Sequence, residues 1–216
     1  MFEQKLIVGR FINLPNAVVM PPNVALGAVG SFVRVPLQTC YLQESTGVFT
    51  KTSQVQAGAG AKAHRNFRFL PWLSGRISEV DLVTTDVLTG PMSGCWLVTY
   101  RKPNGVPHAA HLGTDVANPG GTAAVNLAWN NHALANPGDV IGGFNPLRHW
   151  NGALPVAAHG ENGVPRFFGL FTRAGQYYSI VTFQQLNNGA LLRVAGVQPT
   201  ISAPLARLQQ VDLPGP

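Results

Sequence analysis

An α+β fold is predicted, with a mainly antiparallel β-sandwich core flanked by helices and long loops, and three observations carry that prediction. Hydrophobic residues make up 45% of the 216-residue chain and charged residues only 11%, which is enough apolar material to close around a core. The chain holds 24 glycines and 17 prolines, which disfavour helix interiors and suit short strands joined by turns. A single segment, Ala123 to Ala135, carries a convincing helix pattern with its own start and stop signals. The length fits one domain spanning residues 1–216.

The elements follow in order. Lys5 to Ile12 reads as a first strand, stopped by Asn13-Leu14-Pro15-Asn16. Val24 to Val35, interrupted by Gly27 and Gly30, suits strands with a bend. Thr39 to Leu42 and Gly47 to Thr50 are short strands around Glu44-Ser45-Thr46. Lys51 to His64 is small and polar and reads as a mobile loop. Its Gly58-Ala59-Gly60-Ala61-Lys62 lacks the glycine spacing and the following Ser or Thr of a phosphate loop. Asn66 to Leu73 and Arg76 to Thr84 are strands around Ser74-Gly75. Cys95 to Lys102 and Val106 to Thr114 form a hairpin about Pro103-Asn104-Gly105. Thr122 is the expected cap of the helix, and Asn136-Pro137-Gly138 ends it. Phe167 to Thr172, Tyr177 to Phe183 and Ala190 to Val197 complete the strands, and a short helix follows Gln198-Pro199-Thr200.

Charge narrows the classes of function. The net charge is +6, yet Lys and Arg are scattered, and the longest basic run is Arg101-Lys102. Direct nucleic-acid binding normally needs a stripe or cluster of cations, so it is disfavoured. Met1 to Met20 lacks the charged start and unbroken apolar run of a signal peptide, and no stretch approaches the ~20 apolar residues of a membrane span. Cys40 and Cys95 are expected as free thiols, with Cys40 a buried one. The six histidines show no ligand-like spacing, so neither a metal nor a cofactor is expected.

Cys95 and His111 are the residues with chemistry to offer. Thiol catalysis needs a thiolate, a base to take and return its proton, and a group to hold that base. Ser93 and Gly94 let backbone approach a substrate, and free amides there could stabilise an oxyanion. A turn at Pro103 to Gly105 puts Leu97 opposite His111, and Cys95, two residues before Leu97, shares its sheet face. A diagonal neighbour lies roughly 7–8 Å away, within side-chain reach. His108 pairs instead with Tyr100 and points to the other face. In the bland alternative Cys95 is a packed core thiol and His111 a satisfied strand histidine.

At these residues the chain resembles the family of cysteine-dependent glutamine deamidase toxins that includes Burkholderia lethal factor and the catalytic domain of cytotoxic necrotizing factor. Met92-Ser93-Gly94-Cys95 is similar to the family's Leu-Ser-Gly-Cys motif, with Met replacing Leu. His111-Leu112-Gly113-Thr114 is similar to its His-X-Gly-Thr context, and Thr89 stands six residues before the cysteine, where the lethal factor has a site threonine. The likeness covers residues 89–115. It departs in a longer Cys-to-His spacing, which lengthens the hairpin tip at Lys102 to Val106, and in Pro107 on the return strand.

The resemblance implies a β-sandwich core and hydrolysis of a glutamine side-chain amide in a host protein. Cys95 would be the nucleophile, His111 its base, Thr89 the residue orienting that base, and the Ser93–Gly94 backbone the oxyanion site. The implied target is the DEAD-box helicase of translation initiation or, as the alternative, a switch glutamine of a Rho-type GTPase. A monomer, made in the bacterial cytoplasm and acting in the host cytosol as a virulence factor, completes that expectation. Two rival readings stand beside it. A papain-like protease or transglutaminase-like acyltransferase shares the thiol chemistry, although a papain-like cysteine opens a long helix and Trp96 to Tyr100 is β-rich. A non-enzymatic all-β binding module is the other. Asp86 and Asp115 read as turn or cap residues, and His149 and His159 fall in Gly/Pro-rich loops that either line a target-binding face or are plain surface.

Overall fold

The computed structural model of the protein describes residues 2–14, 24–36, 38–46, 51–150, 154–155, 161–185 and 188–211. Strands β1 (Phe11–Asn13), β2 (Phe32–Arg34), β3 (Thr39–Thr46), β4 (Lys51–Ala57), β5 (Asn66–Leu70) and β6 (Ile77–Asp81) come first. They are followed by β7 (Asp86–Met92), β8 (Leu97–Arg101), β9 (Pro107–Leu112), helix α1 (Pro119–Ala135), β10 (Val140–Phe144) and the single turn α2 (Pro146–His149). Strands β11 (Glu161–Phe171), β12 (Tyr177–Gln185) and β13 (Asn188–Thr200) and the turn α3 (Leu205–Leu208) complete the described chain. The fold is mixed α and β. No helix among the described residues is long and apolar enough to cross a membrane.

Eight strands close a barrel in the order β1-β13-β12-β11-β7-β5-β3-β4, and five form a second sheet in the order β10-β8-β9-β6-β2. Alternation along each strand creates three cores from these two sheets. Phe67, Phe69, Leu88, Phe168, Leu170 and Ile180 point into the barrel. Their odd-even partners Val87, Phe167, Phe171 and Val181 point outward and meet Val80, Leu97 and Ala109 of the second sheet. The far face of that sheet presents Ile77, Val98, Tyr100 and Ala110 to Val125, Trp129 and Ala133 of α1. Burial of this kind stabilises by roughly 25 cal/mol per Å² of apolar surface, so each layer needs the next.

Several sequence expectations are corrected. The first strand is only three residues long, because the chain before it makes a 3-10 turn at Glu3–Lys5. Lys51 to His64 is not a loop throughout: β4 occupies Lys51–Ala57, paired with β3 on one side and β1 on the other. Its buried residues Ser53 and Val55 alternate with outward polar ones, and the polar side dominates the composition. Strand β3 runs on through Glu44-Ser45-Thr46, while the strand expected at residues 47–50 lies outside the described residues. Strands β7 and β10 carry no clear strand signal in the sequence, since Gly90-Pro91 and Gly142-Gly143 look like turns. At Gly142 a Cβ would stand 2.6 Å from the Tyr177 hydroxyl, and at Gly143 it would stand 2.8 Å from the Leu97 carbonyl, so tight packing explains the glycines.

Helix α1 begins four residues earlier than expected, with Pro119 in its first turn and Asn118 as cap, its Oδ1 accepting from the Gly121 amide at 2.9 Å. Thr122 has another task. Its hydroxyl accepts from the Asp115 amide at 2.8 Å and donates to the Asp115 carbonyl at 2.9 Å, which pins the loop after β9 to the helix.

Candidate active site

The hairpin register is the expected one: Leu97 pairs with His111 and Tyr100 with His108. His111 therefore faces the barrel with Leu97, and His108 faces α1, its ring 5.8 Å from that of Tyr100 and its Nε2 3.3 Å from Asp81. Burial first lowers the pKa of His108, opposed by the nearby carboxylates of Glu79 and Asp81.

Thr89 reaches His111 from the other sheet. It sits mid-strand in β7, on the outward face of the barrel, between Leu70 of β5 and Gly169 of β11. Its Oγ1 lies 2.7 Å from His111 Nδ1, and both residues are fully buried. Enclosure alone pushes the His111 pKa down to about 3, so the imidazole is neutral at pH 7. Its other nitrogen, Nε2, is buried without a hydrogen-bond partner among the described residues. We predict that Thr89→Val destabilises the protein by about 1–3 kcal/mol, because Nδ1 then also loses its partner. Thr89→Ser should keep the bond and recover most of the loss. Equal urea midpoints for Thr89→Val and wild type would contradict this.

Cys95 follows β7 on a segment, Ser93 to Trp96, that belongs to no strand ladder. Gly94 takes φ +150°, a conformation that L side chains rarely adopt, and Asn145 Nδ2 clamps its carbonyl at 2.8 Å. Trp96 is held between two guanidinium groups, with Arg148 5.6 Å and Arg207 5.3 Å from its ring centre. Cys95 is thus fixed from both sides. It is 4% exposed and packs in the core between barrel and sheet, while also forming part of the wall of an open cleft of about 1090 Å³. Ser93 and Gly94 line the same cleft.

The thiol's partner is Thr114. Cys95 Sγ donates to the Thr114 carbonyl at 3.5 Å, and the Thr114 hydroxyl donates to Sγ at 3.3 Å. Trp72 Nε1 donates to the same carbonyl at 3.1 Å. Burial raises the thiol pKa, countered by the hydrogen bonds from Thr114. Cys95 packs in the same core layer as Leu97, but β8 begins only at Leu97, so the thiol lies off the strand expected to carry it, and no hydrogen bond joins it to His111.

Thr114 and Trp72 are the site residues that sequence reasoning did not assign. Thr114 stood inside the quoted motif without a role; Trp72 is 23 positions from Cys95 and had no local signal. Asp115, read as a turn residue, accepts from the Ala117 amide at 3.0 Å and the Ser74 hydroxyl at 2.7 Å. Asp86 opens β7 and accepts from the Arg173 amide at 3.0 Å. His149 ends α2, with Nε2 3.2 Å from Gln198 Oε1; His159 lies outside the described residues. Both cysteines are free thiols, and burial pushes Cys40, inside the barrel, up to about 11. The described residues contain no group of three or more His, Cys, Asp or Glu able to hold a metal ion. In comparisons with known proteins, no family model and no curated protein matches the chain.

Proposed function

We propose that this protein is a cysteine-dependent glutamine deamidase acting on a host protein, of the kind its 89–115 segment resembles. The observation that carries the reading is the Thr89–His111 bond at 2.7 Å, with Cys95 just ahead of β8, packed in the core layer of Leu97, the partner of His111, and lining a cleft. With Nδ1–H donating to Thr89, Nε2 keeps a lone pair, which is the form a base needs. The resemblance also implies a sandwich; the barrel wall and second sheet, facing each other across Leu97, Ala109 and Phe167, are the layers that description would use.

The chemistry starts from a neutral thiol and a neutral imidazole. A lone imidazolium or thiolate is disfavoured by burial, whereas the two formed together attract, so charge arises as a pair. Entry of a glutamine side chain frees Sγ from Thr114, and His111 Nε2 takes its proton as the sulfur attacks the carboxamide carbon. Amides of the Ser93–Cys95 turn stabilise the oxyanion. His111 returns the proton to the departing nitrogen, the C–N bond breaks, and ammonia leaves a thioester. Water, deprotonated by His111, adds to that carbonyl; the C–S bond breaks, and glutamate and the thiol are released. No cofactor is consumed.

Candidate substrates are the translation-initiation DEAD-box helicase and, second, a Rho-type GTPase. Incubation with each should raise the target's intact mass by about one dalton per converted glutamine, with ammonia released. Cys95→Ala should abolish both signals while its circular dichroism matches wild type. A competing reading, a binding module in which Cys95 only packs, is favoured by the sulfur's low exposure and its Thr114 bonds. Alkylation separates the two. Modification of Cys95 well ahead of Cys40, with loss of ammonia release, supports the enzyme, and retained activity in Cys95→Ala rules it out.

A further inference from the structure

Beyond naming a nucleophile, the cleft carries information about what lies next to the glutamine. One wall is built by residues of the barrel strands β11, β12 and β13. On β11, Phe168 and Leu170 point into the barrel, so Arg166, two residues before Phe168, falls on the same inward face, near the middle of the strand. Gln184, on the inward face with Ile180, and Leu14 and Leu192, from the barrel core, line the cleft beside it. Arg166 also sits close to the cysteine turn. Phe167, the next residue, pairs with Met92, the last residue of β7 and three before Cys95. Strand spacing of ~4.8 Å and a rise of ~3.3 Å per residue bring the two backbones within on the order of 10 Å.

Among the described residues lining the cleft, the charged ones are Arg166 and Asp115. Asp115 is engaged by the Ser74 hydroxyl and the Ala117 amide. Arg166 is half-buried, and its guanidinium has no hydrogen bond or ion pair among the described residues. Elsewhere, Arg10 and Arg65 share Glu44, and Arg34 holds Asp81. A partly desolvated guanidinium is a flat fork of donors suited to a carboxylate. The chain's net charge of +6 favours the approach of an acidic partner.

We infer that Arg166 is a specificity residue that binds a carboxylate side chain within one to three residues of the target glutamine, so that the substrate segment is acidic. This rests on the deamidase reading for the glutamine but not for the carboxylate, and binding can be measured without turnover. Fluorescent peptides with one glutamine, carrying Glu, Gln-free neutral residues or Lys at the flanking positions, are titrated against the Cys95→Ala protein. The Glu peptide should bind about tenfold tighter than the neutral one at low salt, and the margin should shrink as salt is raised. Adding Arg166→Gln should erase the preference, Arg166→Lys should keep part of it, and Arg166→Glu should turn it toward the Lys peptide. Equal binding of the Glu and neutral peptides, or a preference unchanged by Arg166→Gln, overturns the inference. If the preference follows Arg166 but wild type releases no ammonia from any peptide, the carboxylate site stands and the deamidase reading falls. Conversely, conversion of neutral and acidic peptides at equal rates leaves the deamidase and removes the role of Arg166.

Discussion

Gly113→Ala is expected to leave little folded protein. A Cβ at this position would stand 1.9 Å from the Leu73 carbonyl oxygen and 2.7 Å from that of Arg76. Neither atom belongs to a side chain that could rotate away. The Arg76 carbonyl accepts from the Gly113 amide at 2.8 Å, the Leu73 carbonyl accepts from the Arg76 amide at 3.1 Å, and the Gly75 amide donates back to Gly113 at 2.8 Å. The backbone itself must move, which costs more than about 3 kcal/mol. That shift would carry Thr114, and with it the hydrogen bonds to Cys95. Gly120→Ala is the matched control: it lies in the first turn of α1, and a Cβ there meets nothing within 4 Å. A gain of about 0.5–1 kcal/mol is expected for it from helix propensity. Comparable urea midpoints for Gly113→Ala and wild type would disprove the packing argument. The glycine of the His-Leu-Gly-Thr stretch is thus explained by contact, without reference to catalysis.

Stability should fall steeply in mild acid. His111 has an ordinary pKa of 6.5 when unfolded and about 3 in the fold, because burial disfavours its charged form. Between those values the unfolded chain binds a proton that the folded one does not. Its contribution is therefore complete above pH 6.5 and is lost as pH drops, by about 1.4 kcal/mol per unit and about 4–5 kcal/mol in total near pH 3. His108 and His132, also lowered chiefly by burial, act with the same sign. Urea midpoints followed from pH 7.5 to 4.5 should decline from about pH 6.5. In His111→Asn, whose amide can still reach Thr89, the curve should flatten by about one proton's worth. A wild-type profile level down to pH 5 would mean that His111 is charged or solvated in the fold.

Part of this site could be read directly. The turn residues Pro103-Asn104-Gly105 set the hairpin register, because loop length and side-chain alternation leave no freedom once the turn is placed. That register places His111 opposite Leu97 and His108 on the other face, as the folded hairpin has them. Other parts could not be read. Nothing near Thr89 in sequence says that β7 joins the barrel or that its outward face meets a second sheet. The Thr89–His111 bond exists only because two sheets pack together. The same holds for Thr114, Trp72 and Arg166, whose roles come from loops and strands distant in the chain.

What the amino-acid sequence alone determined was local: a β-rich chain, a hairpin with its register, and one helix with its stop signal. These follow from turn chemistry and periodicity, which act over a few residues. Only the tertiary structure decided that the strands close into a barrel, that the thiol rests on Thr114 and the imidazole on Thr89, and that Arg166 lines the same cleft as Cys95. The physical reason is that burial and long-range pairing depend on which faces meet, and no short stretch of sequence encodes its partner.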